Sequence, residues 1–276
     1  MDNHAKKFGL LYKIFAVVGL LLIIALYFMP IWWVALQSHQ YPKSMYPKGI
    51  RIEFKYDGVY NGCEGVKERE EITTNEGAEC LVEMNAINHY IGMYPIVQGV
   101  NTRTNMHPKD GEKITYPEYY VFNTQKDANG EDVIDPKTGS AVEINVTPGY
   151  LKTLDSILRN SKFIFLFFVI LLIYFIVTPK KKNLIFAFLP ALLPFYFLFL
   201  YMYSMYWYGH HLDLHGGGAF SGIKPFMPTI FGHGKVAQFE TVSYPYYGFF
   251  VALAVFVLLL FAIMFKRKSI SLKSNN

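Results

Sequence analysis

Charged residues are scarce in this 276-residue chain. They make up 17% of it, whereas 52% is hydrophobic and the mean hydropathy is +0.20. An ordinary soluble domain has more charge and less apolar content. The apolar residues are also gathered into long blocks instead of recurring at helical or strand spacing, which excludes a purely soluble enzyme and predicts an integral membrane protein.

Motifs of known chemistry are missing as well. The sequence has no Walker A motif, no lipobox cysteine, no GxSxG nucleophile elbow and no CxxCH haem attachment. The long apolar blocks contain no Asp, Glu, Lys, Arg or His, which argues against a pump, an ion-coupled transporter or a cytochrome b with histidine-ligated haem. These absences favour a protein that is not an enzyme.

Four charge-free blocks each approach the roughly 20 residues that a helix needs to cross a bilayer. They cover residues 14–36, 163–179, 183–209 and 241–265. We expect the second helix to begin near Tyr150 and the third to bend at Pro190 and Pro194. The first block predicts a retained signal anchor, with Trp32 and Trp33 in an interfacial aromatic belt.

The distribution of basic residues predicts the orientation. Segments 1–13, 180–182 and 266–276 together contain ten basic residues and one acid, whereas the connections 37–162 and 210–240 are net acidic. By the positive-inside rule both termini are cytoplasmic and the main domain is extracytoplasmic. The basic balance follows from this topology and predicts no nucleic-acid partner.

The fold class that follows is four transmembrane helices with a mixed α+β extracytoplasmic domain inserted between helices 1 and 2. Five segments are predicted. They are a cytoplasmic tail with the first span (1–36), the periplasmic domain (37–160), the second and third spans (161–209), an aromatic and histidine-rich loop (210–240), and the fourth span with a basic tail (241–276).

Within the inserted domain, residues 49–56 alternate between apolar and polar types and predict a half-buried strand. Residues 119–123 and 141–146 predict two more strands. Asn129-Gly130 and residues 135–139 supply turn chemistry between them, so we expect a β-hairpin.

The two cysteines, Cys63 and Cys80, both fall in the inserted domain. An oxidising compartment favours a disulfide between them. A copper-thiolate pair is the alternative, although no CxxC spacing supports it.

Residues 83–95 form the first of two candidate sites. Asn85, Asn88, His89 and Gly92 recur at helical spacing and are expected on one helix face, followed by Met93. Such residues could form a soft metal site or a polar contact surface for a partner. The alternative is a structural helix whose polar side chains bond to neighbouring backbone.

The second candidate site follows the third predicted span. His210, His211, Asp213 and His215 are ligand types for copper or zinc, and His233 could complete such a site. The glycine-rich surroundings indicate irregular structure. The alternative is an interfacial loop in which His and Tyr hold the helix end at the headgroups.

The chain resembles a membrane protein family encoded beside the clade II, or atypical, nitrous-oxide reductases, the NosB-like proteins. The resemblance rests on four spans with both termini inside, one large outer domain between the first two spans, residues 88–93 (NHYIGM), and the Tyr208-Gly209-His210-x-Leu212-Asp213 loop. It implies a membrane partner of a periplasmic copper enzyme that acts in denitrification. No catalytic residues are carried over from the family.

Three functions are therefore expected. The first is a non-enzymatic membrane subunit or accessory protein that docks, anchors or assists a periplasmic copper enzyme, by resemblance nitrous-oxide reductase. The second is a copper-binding protein that uses the His210 to His215 cluster, and the third is a conduit for a small molecule or gas. Copper is the one cofactor that the residues suggest.

Overall fold

A computed structural model describes residues 3–44, 46–63, 79–99, 104–109, 112–178, 181–212, 224–236 and 238–274. Its helices are α1 (Asn3–Leu26), α2 (Cys80–Ile91), α3 (Gly149–Val177), α4 (Ile185–Ala191), α5 (Leu193–His210) and α6 (Tyr247–Ser274). Its strands are β1 (Trp32–Gln37), β2 (Ile50–Lys55), β3 (Gly58–Asn61), β4 (Thr104–Lys109), β5 (Glu112–Pro117), β6 (Phe122–Thr124), β7 (Glu143–Asn145), β8 (Gly232–Val236) and β9 (Phe239–Pro245).

Three helices are long and apolar enough to cross a membrane: His4–Leu26, Gly149–Val177 and Tyr247–Leu272. Helices α4 and α5 meet at an angle of 43° and form a fourth span if the bent pair is counted as one. Pro190 lies inside α4 and Pro194 in the first turn of α5, and a proline lacks the N–H that would continue the helical bonding. The bend predicted at these prolines is present.

A five-stranded antiparallel sheet covers one end of the helices, with strand order β3-β2-β1-β9-β8. Its two central strands continue directly into spans, since β1 follows α1 and β9 precedes α6. Two separate ribbons pair β4 with β5 and β6 with β7. The mixed sheet and helix content agrees with the expected α+β domain, and the hairpin expected between residues 119 and 146 is confirmed by the β6–β7 pairing.

The prediction that the first span continues as a helix to residue 36 is wrong. Helix α1 ends at Leu26, and residues 32–37 form the central strand β1. Pro30 cannot donate a helical hydrogen bond, and the β-favouring Trp32 and Trp33 follow it. Trp32 is only 3% exposed inside the protein core, so it does not belong to an interfacial belt.

The predicted fourth span has the corresponding error at its start. Residues 239–245 belong to β9, and α6 begins at Tyr247, just after Pro245. Both central strands therefore extend across the predicted domain borders. The sheet is built from both long connections of the chain, because β8 and β9 come from the second one.

Small residues let α1 and α6 pack closely along their length. Ala16 and Ala262 are fully buried, and a Cβ placed on Gly19 would come within 2.8 Å of a Leu259 methyl. Without a hydrophobic drive between helices in lipid, such close backbone approach is what holds two spans together.

The basic segments meet at the end of the bundle away from the sheet. Ser269 Oγ donates to the carbonyl of Ala5 at 3.1 Å, and the Lys268 ammonium lies 4.5 Å from the centre of the Phe8 ring. Lys266, expected in an exposed tail, is instead 0% exposed. Its Nζ donates to the carbonyl of Phe175 near the end of α3 and so links α6 to α3.

Candidate functional site

Helix α2 carries the first candidate site and is fixed at its start by the cysteines. Cys63 and Cys80 are joined by a disulfide with their Cα atoms 5.7 Å apart. The side-chain oxygen of Asn61 accepts from the backbone N–H groups of both cysteines, at 3.1 and 3.2 Å. The disulfide and the Asn61 side chain thus link the end of β3 to the first turn of α2.

Gly92 ends α2 and turns the chain toward α5. Its φ of 87° is a left-handed conformation that suits glycine. The N–H of Gly92 donates to the carbonyl of His89 at 3.0 Å, and the N–H of Met93 donates to that of Asn88 at 2.7 Å. Gly92 and Met93 therefore cap the C-terminus of α2 and fix the direction of the chain that follows it.

Asn85, Asn88 and His89 lie on one side of helix α2, as their spacing predicts, but their surroundings differ. Asn88 is 8% exposed and sits with Ile87 and Ile91 on the buried face, whereas His89 and Tyr90 are exposed. The Asn85 side-chain oxygen accepts from the N–H of Ile96 at 2.8 Å, which is the structural role given as the alternative. His89 alone of the candidate polar set presents an exposed titratable group.

The two candidate sites come together in space. Met93 and Leu212 form an isolated antiparallel bridge. The Tyr208 hydroxyl donates to the carbonyl of Pro95 and accepts from the N–H of Val97, both at 3.3 Å. We refer to residues 88–97 with 208–212 as the α2–α5 junction.

Gly209 allows the chain to close over the α2–α5 junction. A Cβ at this position would lie 1.9 Å from the carbonyl oxygen of Phe226, and the N–H of Phe226 donates to the Gly209 carbonyl at 3.0 Å. Any larger residue would push residue 226 away from the end of α5.

His210 and His211 are both exposed at the end of α5. Their Nδ1 atoms lie 2.8 and 3.0 Å from the carbonyl oxygens of Tyr206 and Trp207, and each ring stacks on the aromatic ring four residues earlier. A donating Nδ1–H leaves Nε2 as the free acceptor of each ring.

The other predicted ligands are distributed differently. Asp213 and His215 lie outside the described residues. His233 is on β8, where its Nδ1 pairs with Glu240 at 2.8 Å. Within the part of the chain that the structure describes, no three His, Cys, Asp or Glu side chains are grouped as a metal site would require.

An apolar cavity of about 480 Å³ lies beneath the α2–α5 junction. Its walls come from the sheet, α2, α3 and α5, and Asn88, Met93 and Tyr208 of the junction line it. Sequence reasoning missed this cavity because the part of its sheet wall that β1 supplies was assigned to a span. The β-favouring residues after Pro30 were the available signal.

Ser243 joins the sheet to α5 at the edge of this region and was also missed. It is fully buried, and its Oγ accepts from Trp32 Nε1 at 2.9 Å. The same oxygen lies 3.0 Å from the Tyr201 hydroxyl and donates to the carbonyl of Ile230 at 2.7 Å. One hydroxyl thus connects β1, β9, α5 and the segment before β8.

Tyrosines in the sheet domain act as neutral hydrogen-bond donors. Burial, followed by the nearby Glu83 carboxylate, raises the pKa of Tyr41 to about 12, and Tyr41 donates to Glu83 at 3.1 Å. Burial and the Asp57 carboxylate likewise raise the pKa of Tyr60. Neither group has the pKa of a general base at neutral pH.

No protein-family model, curated protein sequence or solved structure matches this chain. The function of the protein is therefore inferred from the geometry of the α2–α5 junction, the cavity and the spans.

Proposed function

We propose that the protein is a non-enzymatic subunit of a bacterial inner membrane, with four spans, cytoplasmic termini and a periplasmic sheet domain, which docks and assists a periplasmic copper enzyme. By the resemblance of its motifs, that enzyme is nitrous-oxide reductase. The α2–α5 junction is the proposed docking surface.

The observation that carries the proposal is the meeting of the two motif stretches on which the resemblance rests. Tyr208 and Pro95 are separated by 113 positions in the chain, yet their side-chain and backbone groups are hydrogen-bonded. His89, His210 and His211 are exposed at or beside this junction. Two short motifs that pack together and present exposed histidines suit recognition of a partner better than two unrelated turns.

The orientation is supported by charge. Lys268 and the segment 181–184 lie at the same end of the bundle as the start of α1, opposite the sheet. The positive-inside rule places that end in the cytoplasm and the sheet, with the α2–α5 junction, in the periplasm.

The test is affinity purification of the full chain from native membranes in mild detergent, with mass spectrometry of the proteins recovered. We expect the copper reductase to co-purify. The paired change His89→Glu with His211→Glu should lower its recovery about tenfold. The reason is that two carboxylates buried in an interface without a cationic partner weaken binding. His39→Glu is the matched control, since His39 is an exposed histidine in the β1–β2 connection.

Equal recovery with the paired change and with His39→Glu would refute docking at the α2–α5 junction. Purification without any copper enzyme, under growth on nitrous oxide, would refute the subunit role itself.

Copper binding at the end of α5 is the second candidate function. It is favoured by the geometry of His210 and His211, since metal-binding histidines commonly donate their other ring N–H to a backbone carbonyl. Metal analysis of the purified chain should find copper in stoichiometric amount, and the pair His210→Ala with His211→Ala should remove it. Retention of copper by that variant would exclude this site.

A further inference from the structure

We propose that the cavity beneath the α2–α5 junction binds one acyl chain of a membrane phospholipid, which enters sideways between α3 and α5. The proposal uses the membrane placement of the spans and is independent of the copper enzyme. It assigns a ligand to the cavity of about 480 Å³ described above.

Five of the hydroxyl groups in the cavity wall are hydrogen-bonded within the protein. Ser161 and Ser204 donate to the carbonyls of Leu158 and Leu200, each at 2.7 Å, and the Tyr56 hydroxyl donates to Leu193 at 3.1 Å. Tyr201 is bonded to Ser243, and Tyr208 to the backbone of the α2–α5 junction. The rest of the lining is mainly aliphatic and aromatic, with Lys55, Asn88, Tyr196 and Thr241 as its other polar members. A hydrocarbon needs no hydrogen-bond partner in such a cavity.

The cavity has a mouth between α3 and α5. The two helices contact each other at the outer end, where the Tyr150 hydroxyl lies 2.8 Å from Ser204 Oγ, and again deeper, where the Phe168 and Tyr196 rings stack at 6.3 Å. Between these contacts, Ile157 and Ile164 of α3 both line the cavity and are exposed. Because these two side chains reach both the cavity and the outer surface, they mark an opening on the lipid-facing side of the bundle.

The size and shape of the cavity suit a single flexible chain. At roughly 30 Å³ for each methylene- or water-sized group, the volume accommodates roughly 16 carbons. An apolar cavity of this size is destabilising unless apolar atoms occupy it, and water would lack hydrogen-bond partners there. Acyl chains are the apolar groups present at high concentration at such a mouth.

The experiment uses the full chain in nanodiscs of phosphatidylethanolamine and phosphatidylglycerol that contain a trace of phospholipid with a diazirine in the middle of one acyl chain. After photolysis, peptide mapping locates the label. We expect crosslinks to Leu158 and Leu200, which line the cavity. Extraction of the chain from native membranes should also recover about one tightly held phospholipid per protein.

Two matched pairs of variants test the route of entry. Ile157→Trp and Ile164→Trp fill the mouth and should reduce crosslinking to Leu158 and Leu200 about tenfold, the effect expected when two methylene groups are displaced. Ile170→Trp and Ile173→Trp make the same change on exposed positions of α3 that do not line the cavity, and should leave the yield unchanged. All four positions are exposed, so none requires a repacked core.

Label confined to lipid-facing positions such as Leu21 and Phe261, or equal crosslinking in the mouth and control variants, would overturn the proposal. Recovery of an isoprenoid quinone in place of a phospholipid would overturn the assignment of the ligand. Loss of the copper reductase from the purification would bear on the docking function alone, because the crosslinking requires no partner.

Discussion

Replacing Ser243 with alanine should weaken the attachment of the sheet to the spans. The change removes an oxygen that accepts from Trp32 Nε1 at 2.9 Å and lies 3.0 Å from the Tyr201 hydroxyl, in a fully buried position. Each buried donor left without an acceptor costs about 1–3 kcal/mol. Ser243→Ala should therefore lower the free energy of unfolding by roughly 2–4 kcal/mol.

A double-mutant cycle with Tyr201→Phe isolates one of these bonds. Tyr201→Phe alone removes one donor and leaves Ser243 bonded to Trp32 and Ile230, so we expect a loss of about 1 kcal/mol. In the Ser243→Ala background the same change should cost less, because its partner is already gone. The coupling energy should be about 1 kcal/mol.

The assay is equilibrium unfolding of the chain in detergent, followed by tryptophan fluorescence and by circular dichroism. Ser140→Ala, at an exposed position near the tip of the β6–β7 hairpin, is the control and should stay within about 0.5 kcal/mol of the unmodified protein. If Ser243→Ala behaves like Ser140→Ala, or if the cycle gives no coupling, the hydroxyl does not hold the sheet to α5 as argued.

Three further predictions concern the α2–α5 junction, the disulfide and the predicted copper cluster. Gly209→Ala should destabilise the protein by about 2 kcal/mol or more because its Cβ meets the Phe226 carbonyl, whereas Gly149→Ala, with open space around it, should be neutral or slightly stabilising in the same unfolding assay. Equal effects would contradict the close approach. Changing Cys63 and Cys80 together to serine should cost about 3 kcal/mol through the loop that the bond closes, and the unmodified protein should gain two free thiols only after reduction. If labelling finds two thiols without reductant, the bond is absent in the cell. His215→Ala should lower copper content if the predicted cluster binds metal, and unchanged copper would remove His215 from it.

The membrane character and much of the local structure could be predicted from the sequence. The apolar blocks indicated the spans, and alternation at residues 49–56 predicted a strand where β2 is found. Leucines at helical spacing predicted a helix from about Tyr150, and α3 begins at Gly149. These features depend on neighbouring residues, which periodicity reports directly.

The division between span and sheet could not be predicted by hydropathy alone. Residues 32–36 and 241–245 carry no charge and adjoin the apolar helices, so they lengthen the charge-free blocks. They belong to β1 and β9, which are inner strands of the sheet and largely buried. Pro30 and Pro245 were the local signals that separated strand from helix.

The arrangement of the candidate site residues could not be predicted from the sequence. His89, His210 and His211 are exposed, yet Asn88 faces the core and Met93 pairs with Leu212. Contacts between residues far apart in sequence carry no periodic signal. The cavity escaped notice for the same reason, since each of its four walls comes from a different part of the chain.

The pairing of β1 with β9 also sets the order in which the chain can be assembled. Strand β1 leaves the ribosome early and can pair at once with β2, its neighbour in sequence, but its other edge must wait for β9, which precedes the last span. Until then an apolar strand edge with unpaired backbone groups is exposed, and such edges recruit other strands. Translation that stops before residue 239 would leave that edge of β1 unpaired, so the synthesis of β9 is the step that completes the sheet and protects the edge from other strands.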